Sequence, residues 1–349
     1  STPWSDASAQ SRRYLTMNTV GYTWVVKSGN SGENQSVTVS FFDRAKNRDY
    51  HFTDYSAFDL CLMNGRGLLR ENLGYDGKKV NKGKLFYRSH ESLQASWEET
   101  IPLLDDEIIT SLTLTSDDSD MIVVGTSHGY MRFFNIFGVC VFLMRSSPVV
   151  ALISSGVSLF SIGESSSGGY TYSIIGVNED YRFIQQEIPL NLQHPNGLKG
   201  LFFNENNDPC IISGGHNTLL ILSGWRETGN AKWIPLIHVN DAVTEGGKND
   251  VKRHWHAWPL GLYQDEVSVL ILKSGSKHPG FPLPLPVDIQ IKLPVGGGED
   301  QEEFLRSMTM GKIVSTSLAD VEDDSNLMLR LEQYSIAFDR SLLKLFASL

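Results

Sequence analysis

The sequence predicts a mainly β protein, a propeller of four-stranded blades followed by a short α-helical segment. Three observations predict it. From Arg13 to about Val295 the apolar residues alternate in short runs that break at glycine, asparagine and aspartate, the pattern of half-buried strands joined by tight turns, and helical spacing is nearly absent. Groups of four strands recur, as in Ile108 to Met144, "IITSLTLTSDDSDMIVVGTSHGYMRFFNIFGVCVFLM". At roughly 40–50 residues per group the region holds about six or seven of them, and a sandwich of this length would need nearly twice its usual strands. Finally, the character changes at Pro294 to Gly298, after which apolar residues recur every three or four positions.

Taken in order, residues 1–12 carry no apolar core and read as a disordered N-terminal segment, and residues 13–295 as the propeller. Strands are expected at Val37 to Phe42, Phe58 to Met63, Ile108 to Leu114, Met121 to Val124, Tyr130 to Phe134, Val139 to Met144, Val149 to Ile153, Leu219 to Leu222, Val267 to Leu272 and Ile289 to Leu293. No Gly-His or Trp-Asp signature repeats at a fixed period, so the blades are irregular. Residues 296–300 form a glycine-containing linker and residues 301–349 two helices. Acids at Glu299 to Glu303 suit a helix start, and this first helix is expected to reach Leu318. An acidic turn, Asp320 to Asp324, precedes a second helix from Ser325 or Asn326. Leu327, Leu331, Tyr334, Phe338, Leu342, Leu345 and Leu349 form one apolar stripe on it, which must be buried against something. Leu327, Leu331, Phe338, Leu342, Leu345 and Phe346 are the candidate helical interface.

The 349 residues are 41% hydrophobic and 20% charged, enough for one large domain with an appendage or for two domains. A formal net charge of -10 opposes wrapping around a polyanion and argues against a dedicated DNA-binding module. Cys61, Cys140 and Cys210 are far apart and set in apolar runs, so they read as buried thiols in a reducing compartment. No run approaches 18 apolar residues and "STPWSDASAQSRR" lacks the apolar core of a secretory signal, so an intracellular protein is expected.

Several stretches carry possible chemistry. In "RHWHAWPL", Arg253 to Leu260, the strand period puts His254, His256 and Trp258 on one face and Trp255 on the other. Zinc would need a third protein ligand, and no Cys-X-X-Cys or His-Glu-X-X-His accompanies them, so aromatic packing with a hydrogen-bonded core histidine is expected. Gly125-Thr126-Ser127-His128-Gly129 matches the nucleophile elbow letter for letter, which makes a propeller hydrolase the alternative function. The elbow demands a following helix, whereas Tyr130 to Phe134 is an alternating aromatic strand, so a blade turn is expected. The acidic runs Asp105 to Glu107, Asp117-Asp118 and Glu322 to Asp324 suit turns and helix caps better than a glycosidase pair. Lys78, Lys79, Lys82 and Lys84 in "DGKKVNKGK" suit a solvated hairpin tip, with weak phosphate contact as the other reading. "FPLPLP", Phe281 to Pro286, suits a rigid lead into the last strand, with a ligand for a proline-reading domain as the alternative. Asn34-Gln35-Ser36 fits a glycosylation sequon that an intracellular chain would not present.

A series of segments in order resembles the C-terminal half of the fungal chromosome transmission fidelity hub, a replisome adaptor of the acidic nucleoplasmic DNA-binding protein family whose propeller is called SepB-type. They are "RRYLTMNTVGY" (12–22), "VTVSFFD" (37–43), "YHF" (50–52), "VGTSHGYMRFFNIFGV" (124–139), "SPVVAL" (147–152), "LFFNENNDPCI" (201–211), "NTLLILSGWR" (217–226), "KWIPL" (232–236), "HAWPL" (256–260), "FPLPLP" (281–286) and "RSLLKLFAS" (340–348). In that pattern His256 to Leu260 belong to a blade strand with no metal, and Gly125 to Gly129 to a blade turn. The resemblance implies a six-bladed propeller followed by a helical bundle, assembled as a nuclear homotrimer. It implies no reaction and no cofactor. The implied work is in DNA replication and sister chromatid cohesion: linking the replicative helicase, through its GINS component, to DNA polymerase alpha and other clients with short helical peptides. Association with DNA or chromatin is implied to be mostly indirect, and no membrane is involved. The family also has an N-terminal WD-repeat region, a longer charged segment where this chain has Gly296 to Gly298, and further helices after the position of Leu349, to which the peptide groove is assigned.

Overall fold

A computed structural model describes residues 2–5, 11–27, 34–56, 58–65, 67–72, 82–92, 96–115, 120–192, 197–244, 250–273, 275–295, 297–318 and 324–348. The fold is mainly β, six propeller blades with helices after them, and the chain divides into two compact units, Ser1–Asn191 and Leu192–Leu349.

The first unit holds four blades, each an antiparallel meander in chain order. Blade 1 is β1 (Arg12–Met17), β2 (Gly21–Lys27), β3 (Gln35–Phe41) and β4 (Tyr50–Asp54); blade 2 is β5 (Leu60–Met63), β6 (Gly67–Asn72), β7 (Lys82–Ser89) and β8 (Ser96–Pro102). Blade 3 is β9 (Ile109–Leu114), β10 (Met121–Thr126), β11 (Tyr130–Asn135) and β12 (Cys140–Arg145); blade 4 is β13 (Val149–Ser155), β14 (Ser158–Glu164), β15 (Tyr170–Gly176) and β16 (Arg182–Leu190). First strands of successive blades approach one another, β1 with β5, β5 with β9 and β9 with β13, which makes the last strand of each blade its outer edge. Apolar side chains fill the space between blades, with Leu85, Ile101, Ile109, Ile122 and Val124 between blades 2 and 3 and Val123, Phe133, Leu152 and Leu159 between blades 3 and 4. Such close packing contributes most of the stability of a propeller.

Polar staples repeat alongside that packing. Asn18 accepts from the Val20 and Gly21 amides through Oδ1, closing the turn from β1 to β2, and donates Nδ2 to the Met63 carbonyl of blade 2 at 2.8 Å. Asn64 does the same one blade on, accepting from the Gly67 amide and reaching the Leu114 carbonyl at 3.3 Å. Both follow the spacing Asn-X-X-Gly. Gly21 is required there, because a Cβ would lie 2.1 Å from the Ser40 carbonyl oxygen. His90 ties blade 1 to blade 2, with Nε2 donating to the Asn64 carbonyl and Nδ1 accepting from the Tyr50 hydroxyl. Burial lowers the His90 pKa, which keeps that neutral tautomer in place.

In the expected disordered stretch 1–12, the Thr2 and Ser5 amides donate to the Tyr14 and Arg12 carbonyls, so residues 2–5 lie along β1; residues 6–10 fall outside the described ones.

The second unit holds blade 5, with β17 (Leu198–Phe203), β18 (Pro209–Ser213), β19 (Thr218–Ser223) and β20 (Lys232–His238), and blade 6, with β21 (His256–Tyr263), β22 (Glu266–Leu272) and β23 (Val287–Gln290). A short helix, α1 (Val239–Thr244), and a 3-10 turn (Asp250–His254) lie between them. The last strand was expected at Ile289 to Leu293 but pairs as Val287–Gln290; Ile291 and Leu293 instead leave the sheet and sink into the core that receives the helices. Those helices are α2 (Glu299–Ser317) and α3 (Ser325–Ala347), the boundaries that the acidic turn predicted to within two residues. Gly298 gives α2 no side-chain cap, and Glu299, Asp300 and Glu302 place negative charge at the positive end of the helix, with Glu302 accepting from the Leu293 amide and Arg306. Asp324 caps α3, its carboxylate accepting from the Asn326 and Leu327 amides.

Candidate protein-interaction platform

The helical hairpin is bolted to blades 5 and 6 in two layers. Apolar contact comes first: Met310 and Ile313 of α2 are buried in one core with Ile212, Leu236, Leu262 and Val267 of the blades, and Leu305 and Tyr334 pack on its margin. Tyr334 of α3 lies over Gly311, where a Cβ would stand at ordinary contact distance, 3.6 Å from Tyr334 Cβ. Polar bonds fix the register. Asp208, fully enclosed before β18, accepts from Arg226 Nη1 at 2.8 Å, Trp225 Nε1 at 2.9 Å and the Ser317 hydroxyl of α2 at 3.4 Å. Burial pushes the Asp208 carboxyl up, against the pull of Arg226, Trp225 and Asn204.

Arg330 does the corresponding work for α3. Its Nη1 bonds Glu205 at 2.7 Å in the turn from β17 to β18, and its Nη2 lies 3.7 Å from Asp265 in the turn from β21 to β22. Nη2 also donates to the Tyr334 hydroxyl, which in turn donates to Asp265. Burial, then the bond to Asp265, push the Tyr334 phenol well above the usual tyrosine range, so it keeps the proton it donates. One guanidinium thus holds α3 to two blades. Along the hairpin, Glu303 meets Arg340 at 2.8 Å and Lys344 at 3.1 Å, and Phe304 stacks against Phe338 with ring centroids 4.9 Å apart.

Of the candidate interface residues, Leu327 is buried and Leu331, Phe338, Leu342 and Leu345 are half-buried, all on the side of α3 that the hairpin occupies. Phe346 is 65% exposed and lies off that side with Met328, Leu329, Ile336 and Leu343, a second apolar face that the spacing argument did not separate from the first. Arg330, Glu205, Asp208 and Asp265 were missed as well. The available signal was an arginine three residues after Leu327, inside the apolar stripe, where a charge is retained only with a partner.

The other sequence candidates resolve as follows. Ser127 sits in a turn from β10 to β11 with Gly129 at φ +82°, and its hydroxyl accepts from the Ile108 amide at 3.0 Å. His254 ends the 3-10 turn and only His256 is in β21; both are exposed, so neither is the core histidine that was expected. Trp258 meets His278 edge to face, and Trp255 lies under Lys252 and Lys273. Among the described residues no three His, Cys, Asp or Glu gather as metal ligands. Cys140 is exposed and Cys61 half-buried, against the expectation of three buried thiols; Cys210 alone is enclosed. The outward turn of β12 explains Cys140.

Glu107 is structural. Burial opposes its ionisation, but the Leu104 amide, Thr126 and Arg132 outweigh that and hold its carboxyl below the usual glutamate range. Asp117-Asp118, Lys78, Lys79, Glu322 and Asp323 lie outside the described residues, while Lys84 pairs with Glu98 at 3.1 Å and Lys82 opens β7. No helix among the described residues is long and apolar enough to cross a membrane.

Six blades and a helical hairpin, with one apolar helix face packed and another exposed, define a β-propeller protein with an appended helical hairpin. Sequence comparison makes the assignment specific. The profile of the family described as "Minichromosome loss protein, Mcl1, middle region" matches residues 1–295, and the chain belongs to that family. It is 35% identical over 399 aligned residues to the DNA polymerase alpha-binding protein of Saccharomyces cerevisiae, covering 97% of this chain and 41% of that protein. It is 28% identical over 366 aligned residues to minichromosome loss protein 1 of Schizosaccharomyces pombe, covering 99% of this chain and 42% of that one. The chain therefore spans about two fifths of the length of these relatives.

Proposed function

We propose that this chain is the propeller and helical platform of a non-enzymatic replisome adaptor, a nuclear homotrimer that links the replicative helicase, through GINS, to DNA polymerase alpha and other clients. The observation that carries the reading is the alignment of 97% of the chain with a relative named for binding DNA polymerase alpha. The geometry supports it from a second direction. The hairpin is held rigidly on blades 5 and 6 by Asp208 and Arg330, while Met328, Leu329, Ile336 and Leu343 stay open on α3. A rigid apolar helix face suits clients that present a short amphipathic helix. The net charge of -10 favours contact with chromatin through protein partners. The hydrolase alternative has nothing to recommend it, since a strand follows Ser127 and its hydroxyl is engaged by a backbone amide.

The test is recovery of partners from nuclear extract on immobilised protein, with polymerase alpha and GINS subunits detected by antibody. Recovery of both, reduced by Leu343→Asp, is the expected result. Failure to retain either one, by a protein shown to be folded, overturns the adaptor reading.

A further inference from the structure

One end of blade 6 carries charge of a single sign. Residues 252–255 lead into β21 and residues 273–278 follow β22, so the antiparallel pairing of the two strands brings both stretches to the same end of the blade. Between them they hold Lys252, Arg253, Lys273 and Lys277, and no Asp or Glu. Elsewhere in the second unit Arg226, Arg330 and Arg340 each meet a carboxylate, but among the described residues none pairs with Lys252, Lys273 or Lys277. In a chain of net charge -10 this local excess runs against the average.

Two of these lysines are held in place by a tryptophan. The Trp255 amide donates to the Lys252 carbonyl at 3.1 Å, closing the 3-10 turn, and the Trp255 ring packs on the margin of the blade core. Two residues on, the Ala257 amide donates to Asn240 at 3.0 Å and its carbonyl accepts from Asn217 at 3.1 Å, which fixes the start of β21. His256 pairs with Leu272, so Trp255 and Lys273 are the next opposed positions beyond the sheet. Lys252 Nζ lies 5.4 Å and Lys273 Nζ 5.0 Å from the centroid of the Trp255 ring. An ammonium is attracted to the electron-rich face of an indole, and its long side chain gives up rotational freedom there before any ligand arrives.

We infer that Lys252 and Lys273, arranged about Trp255, form a docking site for an acidic segment of a partner protein, whose Asp or Glu carboxylates bond the two ammoniums. Charge selects the occupant: lysines without a carboxylate of their own complement a run of carboxylates from outside, and both address one ring, so neighbouring acids can reach them together. Nucleic acid is a poorer match. Single strands bind by stacking bases on open aromatic faces, whereas Trp255 has the core margin and two ammoniums about it, and the net charge of -10 repels a long polyanion. The site uses no residue of the exposed α3 face, so its occupant is additional to a client seated there.

The experiment is fluorescence polarisation on the whole chain with a labelled peptide of alternating Glu and Ser, the same peptide with Gln for Glu, and a labelled oligothymidine of equal length. The Glu peptide should bind and the Gln peptide should not, with affinity falling as salt screens the charges. Lys252→Gln/Lys273→Gln, with folding checked by circular dichroism, should weaken the Glu peptide at least about tenfold. In parallel, reductive methylation read by mass spectrometry should slow at Lys252 and Lys273 when the Glu peptide is added and stay unchanged at Lys46, an exposed lysine of the first unit. Equal affinity of the Glu peptide for the unaltered chain and the double variant, or no protection of the two lysines, overturns the site. Tighter binding of oligothymidine, lost in the same variant, overturns the peptide occupant and assigns the patch to single strands. An unaltered chain that binds neither probe overturns the proposal.

Discussion

Replacing Arg330 with methionine tests whether α3 is bolted to the blades or merely lies on them. The substitution keeps an unbranched apolar stem in the same channel and deletes the fork that reaches Glu205, Asp265 and the Tyr334 hydroxyl. Removing one partner of a fully buried pair costs about 3–5 kcal/mol, because the remaining charge is left without solvent or counter-charge. Here the orphaned side chains are 20% exposed for Glu205 and 29% for Asp265, so both regain some water, and Asp265 keeps the Tyr334 hydroxyl. The expected loss is therefore about 2–3 kcal/mol. Urea unfolding should show a lower midpoint at unchanged slope if the unit still unfolds as one. Amide exchange should rise along α3 first, since Tyr334, which packs on the margin of the blade core, loses its bond to the Arg330 guanidinium. Arg330→Lys should lie between the two, because a point charge cannot serve both carboxylates with fork geometry. A change below about 0.5 kcal/mol, with exchange along α3 unaltered, would refute the bolt and leave apolar packing as the whole attachment.

Four further outcomes follow from the geometry of the two units. Phe338→Ala should cost about 2–3 kcal/mol by urea unfolding, less than for a fully enclosed phenylalanine, because the ring is half-buried and what is lost is mainly its contact with Phe304. Glu303 is held below the usual glutamate range by its bonds to Arg340 and Lys344, so the clamp between α2 and α3 is fully present above the ordinary glutamate pKa and is lost as pH falls through the lowered one; Glu303→Gln should flatten that acid limb in a titration followed by circular dichroism. Gly129→Ala should destabilise by about 2 kcal/mol or more, since φ is +82° and a Cβ would lie 2.0 Å from the Ser146 carbonyl oxygen, and a fluorophosphonate should leave Ser127 unlabelled.

Strands with one face in water were legible by alternation, and some enclosed strands by their apolar runs, as Met121 to Val124 in β10 and Leu219 to Leu222 in β19. Strands β3, β11 and β12 alternate and were readable, as was the start of α3, because Asp324 is a cap with a local cause. Strands β14 and β18, by contrast, are enclosed on both faces, so "SLFSIGE" and "PCIIS" carry no alternation to read. The histidine pair was misplaced because strand period was extended back to His254, where a 3-10 turn interrupts it. The staples Asn18 and Asn64 were legible in principle as Asn-X-X-Gly, but the same spacing at Asn135 to Gly138 serves a different turn, from β11 to β12, so the pattern alone does not mark a blade-to-blade staple. The platform was half-legible: period alone finds an apolar stripe, but it cannot show that Arg330 splits the duties of the helix.

The contrast between the two helices bears on what the platform is for. Both rest on the same blades, and α2 exposes Glu299, Asp300, Gln301, Lys312 and Ser315, the polar outer face expected of a helix that only covers a core. Its neighbour exposes Met328, Leu329, Ile336, Leu343 and Phe346 instead. Apolar side chains in water contribute nothing to holding the hairpin down, which Leu327, Tyr334 and the Arg330 bonds already do. Unlike a loop, moreover, α3 holds that face at a fixed orientation through the bonds to Glu205 and Asp265. Leu343→Asp should for that reason leave the stability measured by urea unfolding within about 0.5 kcal/mol of the unaltered chain while reducing recovery of partners, since Leu343 is exposed on that face.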